Sequence, residues 1–289
     1  MFAATPLSIL SPYLAEEAQI KSQEEGIPIC PILDPSPALE ANRYYFGHPQ
    51  WTKAYLEACH RDPPFKARWQ SLMGSWDQKI VVDIGCGPGN LYAALGGSPK
   101  LLIGVDISLG ALKIAQQVGY TPILADAHAL PFRSSFADIV ALNATIHHCD
   151  QMEQVLAEAA RLVRPGGLLI SDQDPQRSAY NFKGLGLLVW KLRLPLYYMM
   201  QRGAHANRHE QARMLATEIH HDAGKGVTPE LFYSTLEPLG FTVKLINHDG
   251  AIAPQELWKK HWIQWLSGIK PGQIESSLCL CCVATRRTS

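Results

Sequence analysis

At 289 residues, with 47% hydrophobic and 18% charged side chains, the chain is long enough for one large domain plus an appendage and has the make-up of a soluble globular protein. Lys+Arg and Asp+Glu both total 26, so the formal net charge is zero; the densest basic cluster is Arg286-Arg287 at the end. A protein that works by neutralising phosphates carries a basic excess or stripe, so nucleic acid is not an expected partner.

The start, Met1-Phe2-Ala3-Ala4-Thr5-Pro6, has no basic stretch followed by an apolar one. No secretory signal is expected, and the cytoplasm is the expected location. Residues 1–40, rich in proline and acid (Pro28, Pro31, Pro35, Pro37; Glu24, Glu25), are expected to wrap the surface with little regular structure. Within residues 41–78 the pattern turns helical from Pro49 to Met73, with Trp51, Tyr55, Leu56 and Cys59, then Phe65, Trp69 and Leu72; Pro63-Pro64 divides it into two helices. Residues 41–78 are expected to form a lid, in which Tyr45 is a candidate to touch a substrate.

From Lys79 to residue 289 the pattern is that of one α/β domain. Ile80-Val81-Val82-Asp83-Ile84 is a short apolar run ending in a glycine loop, which reads as a strand buried on both faces. Leu101 to Asp106 is a second such run, followed by a helix capped by Ser108 and stopped at Gly119. Pro122 to Asp126 and Asp138 to Asn143 are further strands, Met152 to Val163 is a helix, and Leu168 to Asp172 is a fifth strand. Strands alternating with helices at this spacing predict a Rossmann-like, mostly parallel sheet with helices on both faces. At about 175–225 the rhythm breaks; helices are expected over 183–201 and 208–219. The window Leu185 to Met200 is interrupted by Lys191, Arg193 and Pro195, too short and broken for a membrane span. This insertion is expected to be a helical cap over the carboxyl ends of the strands, where open α/β sheets bind ligands. Its apolar density, with Trp190, Tyr197 and Tyr198, favours a partly hydrophobic small molecule, and Tyr198 is a candidate contact. Thr228-Pro229-Glu230 then opens a helix, Phe241 to Ile246 is a strand, and Leu278 to Ala284 is the last strand. The seven cysteines lack framework spacing and fit a reducing compartment; Cys279, Cys281 and Cys282 fall in that last strand and are expected to be core, not metal ligands.

The loop Asp83-Ile84-Gly85-Cys86-Gly87-Pro88-Gly89-Asn90 lets a ligand approach the backbone closely. Its spacing is G-x-G-x-G rather than the G-x-G-x-x-G of dinucleotide sites, and the carboxylate of Asp83 beside it would repel a pyrophosphate but suit an ammonium group. Asp106 ends the second strand, where a carboxylate accepts from ribose hydroxyls, and Asp126 ends the third, where one accepts from an adenine amino group. An adenosine with a positively charged amino-acid tail is S-adenosylmethionine.

Val81 to Asn90, Gly104 to Ser108, Ala125-Asp126-Ala127 with Leu130-Pro131-Phe132, Asp138 to His148, and Arg161 to Gly167 resemble the successive motifs of the class I S-adenosylmethionine-dependent methyltransferases, most closely the small-molecule and quinone branch. The resemblance implies a seven-stranded sheet with its last strand inserted antiparallel. It implies that Asp83, Gly85, Cys86, Gly87, Gly89 and Asn90 carry the methionine part, Asp106 and Ile107 the ribose, and Asp126 and Ala127 the adenine. Asn143 would lie near the sulfonium.

Methyl transfer needs alignment first, and a base only where the nucleophile must lose a proton. His147 and His148, after the fourth strand, are candidate bases or turn caps. His220 and His221, near Glu218, are candidate substrate residues, and His221 a candidate base; as metal ligands with Glu218 they would diverge on a helix, so no metal is expected. Two rivals remain open: an NAD(P)-dependent oxidoreductase, although no Tyr-x-x-x-Lys pair is present, and a non-catalytic binding protein, although the carboxylate set is intact.

Overall fold

The computed structural model describes residues 5–60, 63–200, 207–218, 222–250 and 254–288. The N-terminal segment is more regular than its composition predicts. A short helix α1 (Pro6–Leu10) precedes a hairpin of β1 (Ser22–Glu24) and β2 (Ile27–Ile29). The two residues between the strands, Glu25 and Gly26, both have positive φ, 50° and 81°. That is the backbone of a tight hairpin turn, but with Glu in place of the Asn or Asp that usually marks it. Pro28 adds a residue that normally argues against a strand.

Three helices follow: α2 (Pro37–Gly47), α3 (Pro49–His60) and α4 (Pro63–Met73). Each begins with proline at its first position, where the missing N–H is not needed. Ser36 caps α2, its Oγ accepting from the Leu39 N–H at 3.1 Å. Phe65, Trp69 and Met73 of α4 recur every four residues and are buried against the sheet.

The core elements are β3 (Ile80–Ile84), α5 (Asn90–Leu95), β4 (Leu101–Asp106), α6 (Leu109–Val118), β5 (Thr121–Leu124), β6 (Ala137–Asn143), α7 (Met152–Leu162) and β7 (Val163–Pro175). The cap helices α8 (Gly184–Met199) and α9 (Arg208–Ala216) come next, then α10 (Pro229–Leu236), β8 (Phe241–His248), α11 (Pro254–Leu266) and β9 (Cys279–Arg286). The sheet runs β1-β2-β5-β4-β3-β6-β7-β9-β8. Strands β5, β4, β3, β6 and β7 are parallel, and β9 lies antiparallel between β7 and β8. The sheet therefore has nine strands rather than seven: the hairpin adds two at the β5 edge, where Ile29 pairs with Leu124.

The central strand β3 sits between two apolar layers. Val82 and Ile84 join one, with Leu142, Val155 and Phe232; Val81 joins the other, with Trp69, Leu112 and Leu91. Fully burying each such side chain contributes about 1.5–3 kcal/mol, and burial on both faces is why β3 reads as an unbroken apolar run.

The cap contains one helix absent from the sequence reading, α11, which packs on α8. A Cβ on Gly186 of α8 would lie 1.9 Å from Ser267 Oγ and 2.6 Å from the Ile263 carbonyl, so glycine permits that approach. Asp172, fully buried on β7, accepts from Arg68 Nε of α4 at 2.7 Å and pairs with His248 Nε2 of β8 at 2.6 Å. This clamp ties the helical N-terminal segment to the sheet. Among the described residues, no helix is long and apolar enough to cross a membrane.

Candidate cofactor and substrate pocket

The glycine loop turns from β3 into α5 above the sheet. Gly85 has φ 67°, and a Cβ there would lie 2.5 Å from Thr145 Oγ1. Thr145 Oγ1 donates to the carbonyl of Ile84 at 3.0 Å, joining the ends of β3 and β6. The loop then folds onto β4: the Gly87 N–H donates to Asp106 Oδ2 at 2.9 Å, while the Ser108 N–H donates to Asp106 Oδ1 at 2.8 Å. Burial pushes the Asp106 carboxyl upward, partly offset by these N–H groups. Each oxygen keeps a further lone pair for a ligand's hydroxyls.

A cavity of about 460 Å³ opens over the carboxyl ends of the parallel strands. Of the residues chosen from sequence, Gly85, Gly87, Asn90, Asp106, Ile107, Asp126, Ala127 and Asn143 line it, as do Tyr45, His147 and His148. Asp83, Cys86 and Gly89 lie beneath the loop rather than on the cavity wall. Tyr120, unforeseen in the sequence, organises that layer. Its hydroxyl donates to Asp83 Oδ2 at 2.8 Å, and a Cβ on Gly89 would lie 2.9 Å from its ring. Burial raises the Asp83 carboxyl to about 7; the Tyr120 hydrogen bond opposes this and the charge of Asp106 adds to it.

Asp126 has a partner that the sequence did not announce. The His128 N–H donates to Asp126 Oδ1 at 2.9 Å, and His128 Nδ1 lies 2.6 Å from the same oxygen. Burial raises the Asp126 carboxyl, but His128 outweighs it and holds the group below its usual range. The His128 imidazole is raised in turn by that bond. All these contacts use Oδ1, and Asp126 is one of the residues of the cavity wall.

The opposite wall comes from the lid and the cap: Tyr45, Phe46 and Tyr55, then Met214 and Glu218, with Tyr180 and Lys260. Asn42 of α2 joins these parts, its Nδ2 donating to the carbonyls of Ala38 (2.9 Å), Thr217 (3.0 Å) and His148 (3.3 Å). Tyr198, expected to meet the substrate, is 39% exposed on α8 and does not line the cavity. His220 and His221 lie outside the described residues.

His147 and His148 occupy a 3₁₀ turn, Ile146–His148, after β6. His147 Nδ1 lies 2.9 Å from Asp174 Oδ1, which also accepts the His147 backbone N–H, and Asp174 Oδ2 accepts from Ser171 Oγ. His148 Nδ1 donates to the Thr217 carbonyl at 2.6 Å. Burial and then the charge of His147 push the His148 imidazole down to about 4. Backbone strain gathers here: Ala144 and Gln173, both on the wall, have φ of 52° and 62°, costing about 1–3 kcal/mol each.

The fit to S-adenosylmethionine is carried by buried acceptors. Asp83 Oδ1, Asn90 Oδ1 and Asn143 Oδ1 are buried with no hydrogen-bond partner among the described residues. A buried oxygen left this way costs about 1–3 kcal/mol, recovered when a donor arrives. Asn90 and Asn143 are on the cavity wall, and with the Asp106 and Asp126 carboxylates they suit a cationic amino acid joined to an adenosine.

Comparison with known proteins agrees. Residues 82–171 match the family model described as a methyltransferase domain. A ubiquinone biosynthesis O-methyltransferase of Thiobacillus denitrificans is 33% identical over 130 residues, 42% of this chain and 56% of that protein. A tRNA (carboxymethyluridine(34)-5-O)-methyltransferase of Arabidopsis thaliana is 35% identical over 95 residues, 32% of this chain and 23% of that protein. The chain thus spans about half, or less, of the length of these relatives. A Thermotoga maritima structure titled a S-adenosylmethionine-dependent methyltransferase, possible histamine N-methyltransferase, superposes with a TM-score of 0.51 at 18% identity, covering 85% of this chain and 99% of that one; it speaks for the fold alone. Residues 82–171 thus match a methyltransferase domain, and the sheet around them has the fold of S-adenosylmethionine-dependent methyltransferases.

Proposed function

We propose that the protein transfers a methyl group from S-adenosylmethionine to a hydroxyl oxygen of a small, partly hydrophobic molecule. The observation that carries this reading is the two-sided cavity. One side offers the Asp106 and Asp126 carboxylates and the unpartnered oxygens of Asn90 and Asn143; the other offers aromatic rings and the His147–His148 pair. The relative from Thiobacillus denitrificans, named for O-methylation, supports the choice of oxygen.

In this reading Asp106 holds the ribose hydroxyls, Asp126 Oδ2 takes the adenine amino group, and Gly85, Gly87 and Asn90 receive the methionine end. When bound, the cofactor supplies a methyl group on a sulfonium, whose sulfur keeps the electron pair as the new C–O bond forms. The lid residues Tyr45 and Phe46 exclude water. His148 stays neutral at working pH, because its ring is held near 4, so the histidine turn presents an unprotonated Nε2 rather than a charge to the incoming molecule. The hydroxyl proton leaves to water, and alignment supplies most of the rate. The six described cysteines are free thiols, which fits the cytoplasm as the place of action.

Calorimetric titration with S-adenosylhomocysteine tests the reading, with NADH as the control ligand. Binding at micromolar concentrations is expected. No binding, or NADH binding instead, overturns it. Methylation of tRNA in preference to catechol-like compounds would replace the substrate half alone.

A further inference from the structure

We propose that His147, His148 and Glu218 form a site for one divalent transition-metal ion on the cavity wall. This rests on the methyl-transfer reading only for what the ion would do; the site itself is argued from these three side chains.

One ligand atom of each residue lies within 4.8 Å of those of the other two. Two histidine nitrogens and a carboxylate oxygen, all on the wall of one cavity, are the donor set of mononuclear sites that keep open positions for a substrate. The orientation of both rings points the same way. His148 gives its Nδ1 hydrogen to the Thr217 carbonyl, and His147 turns Nδ1 to Asp174, itself fixed by Ser171 Oγ. In both rings the lone pair is then on Nε2. A backbone carbonyl or a carboxylate on the far nitrogen is what orients a metal-binding histidine and raises its basicity.

The third ligand is held as firmly. The Thr217 carbonyl, one peptide before Glu218, accepts from both His148 Nδ1 and Asn42 Nδ2. The cap therefore fixes the backbone next to Glu218 relative to the histidine turn, within reach of both rings. Adjacent histidines on a regular helix would diverge. In this 3₁₀ turn their ring centroids are 4.1 Å apart and the rings are tilted by 38°. Two imidazoles so close gain from a shared cation, as two protonated rings would not.

Nitrogen-rich ligation favours Zn²⁺, Fe²⁺ or Co²⁺ over Mg²⁺ and Ca²⁺. The ion's open positions would face the cavity, where a substrate with two neighbouring oxygens, a catechol or an enol beside a carbonyl, would chelate. Such a substrate would arrive with one hydroxyl ionised by the metal and aimed at the methyl group. The acceptor class narrows accordingly to vicinal dioxygen compounds.

The test uses the full-length protein dialysed against chelator, with Zn²⁺ as the calorimetric probe and Co²⁺ as the spectroscopic one. One Zn²⁺ per chain is expected, with visible d–d bands for Co²⁺. His148→Ala and Glu218→Gln should each weaken Zn²⁺ binding by at least ~10-fold, and Asp174→Asn by ~10-fold through orientation of His147. All three should keep their affinity for S-adenosylhomocysteine, which also reports that they fold. Should a variant fail to fold, imidazole ¹⁵N resonances of the unaltered protein decide: Zn²⁺ should shift two histidines at Nε2. Absence of stoichiometric Zn²⁺ binding, undiminished binding in both ligand variants, or unshifted histidine resonances would overturn the site. Loss of S-adenosylhomocysteine binding in the unaltered protein would instead sink the methyl-transfer reading and leave the metal result standing.

Discussion

Replacing Asp106 with alanine separates two roles that the carboxylate combines. In the structure it accepts from the Gly87 and Ser108 N–H groups at 2.9 and 2.8 Å, and so shapes the glycine loop before any ligand arrives. In the bound state it would also accept from two ribose hydroxyls. Hydrogen bonds to a charged acceptor contribute about 1.5–3 kcal/mol each, and part of that is already offset by desolvation of the buried carboxylate. A net loss of about 3 kcal/mol is expected, or a ~100-fold rise in Kd for S-adenosylhomocysteine. Asp106→Asn keeps the size and one acceptor oxygen, and should fall between the parent and Asp106→Ala. Calorimetric titration at fixed salt, with a thermal melt to confirm folding, reads both numbers. An alanine variant that folds and binds within about threefold of the parent would refute the assignment, because ~0.6 kcal/mol is too little for two charged hydrogen bonds.

Gly85→Ala should destabilise the fold by about 2–4 kcal/mol, combining the left-handed backbone with the contact at Thr145. The same change in a Thr145→Ala background should cost less in urea unfolding; equal costs would count against the steric account. Asp83 has a folded-state carboxyl near 7 against about 3.9 unfolded, so the folded chain keeps a proton that the unfolded chain releases. Stability should therefore decline as pH rises from about 4 to about 7, by a few kcal/mol, and level off above. Asp83→Asn should flatten that decline in urea titrations across pH, and an unchanged slope would refute it. Asp172→Ala, which strands the largely buried Arg68 and His248 ends of the clamp, should cost about 3–5 kcal/mol; a melting temperature within a degree of the parent's would show that the clamp is dispensable.

The parallel core was legible because its physics is local. A strand covered on both faces must be apolar along its whole length, and a helix that starts at Ser108 or Thr228 needs its cap there. The hairpin was not legible, because Glu25 takes a left-handed backbone that its side chain does not announce. Helix α11 escaped for a related reason: Trp258, Trp262 and Trp265 are exposed, so its largest apolar residues mark the outer face and hide the buried one. At the site, strand-end carboxylates could be read from their position after apolar runs. Their partners could not. Tyr120 under Asp83, Asp174 behind His147 and Glu218 across from His148 are brought together only by the folded chain. Sequence showed which groups had charge, and only tertiary pairing showed which of them had an orienting neighbour.

The amide of Asn42 has a consequence for traffic through the cavity. One nitrogen is shared by the first lid helix, the histidine turn and the stretch ending α9. A lid that moves away takes this donor from both the His148 and the Thr217 carbonyls at once, so the three parts are coupled through one side chain. Access to the cavity is thereby tied to the position of the histidine turn and of the stretch ending α9, because the same amide holds all of them.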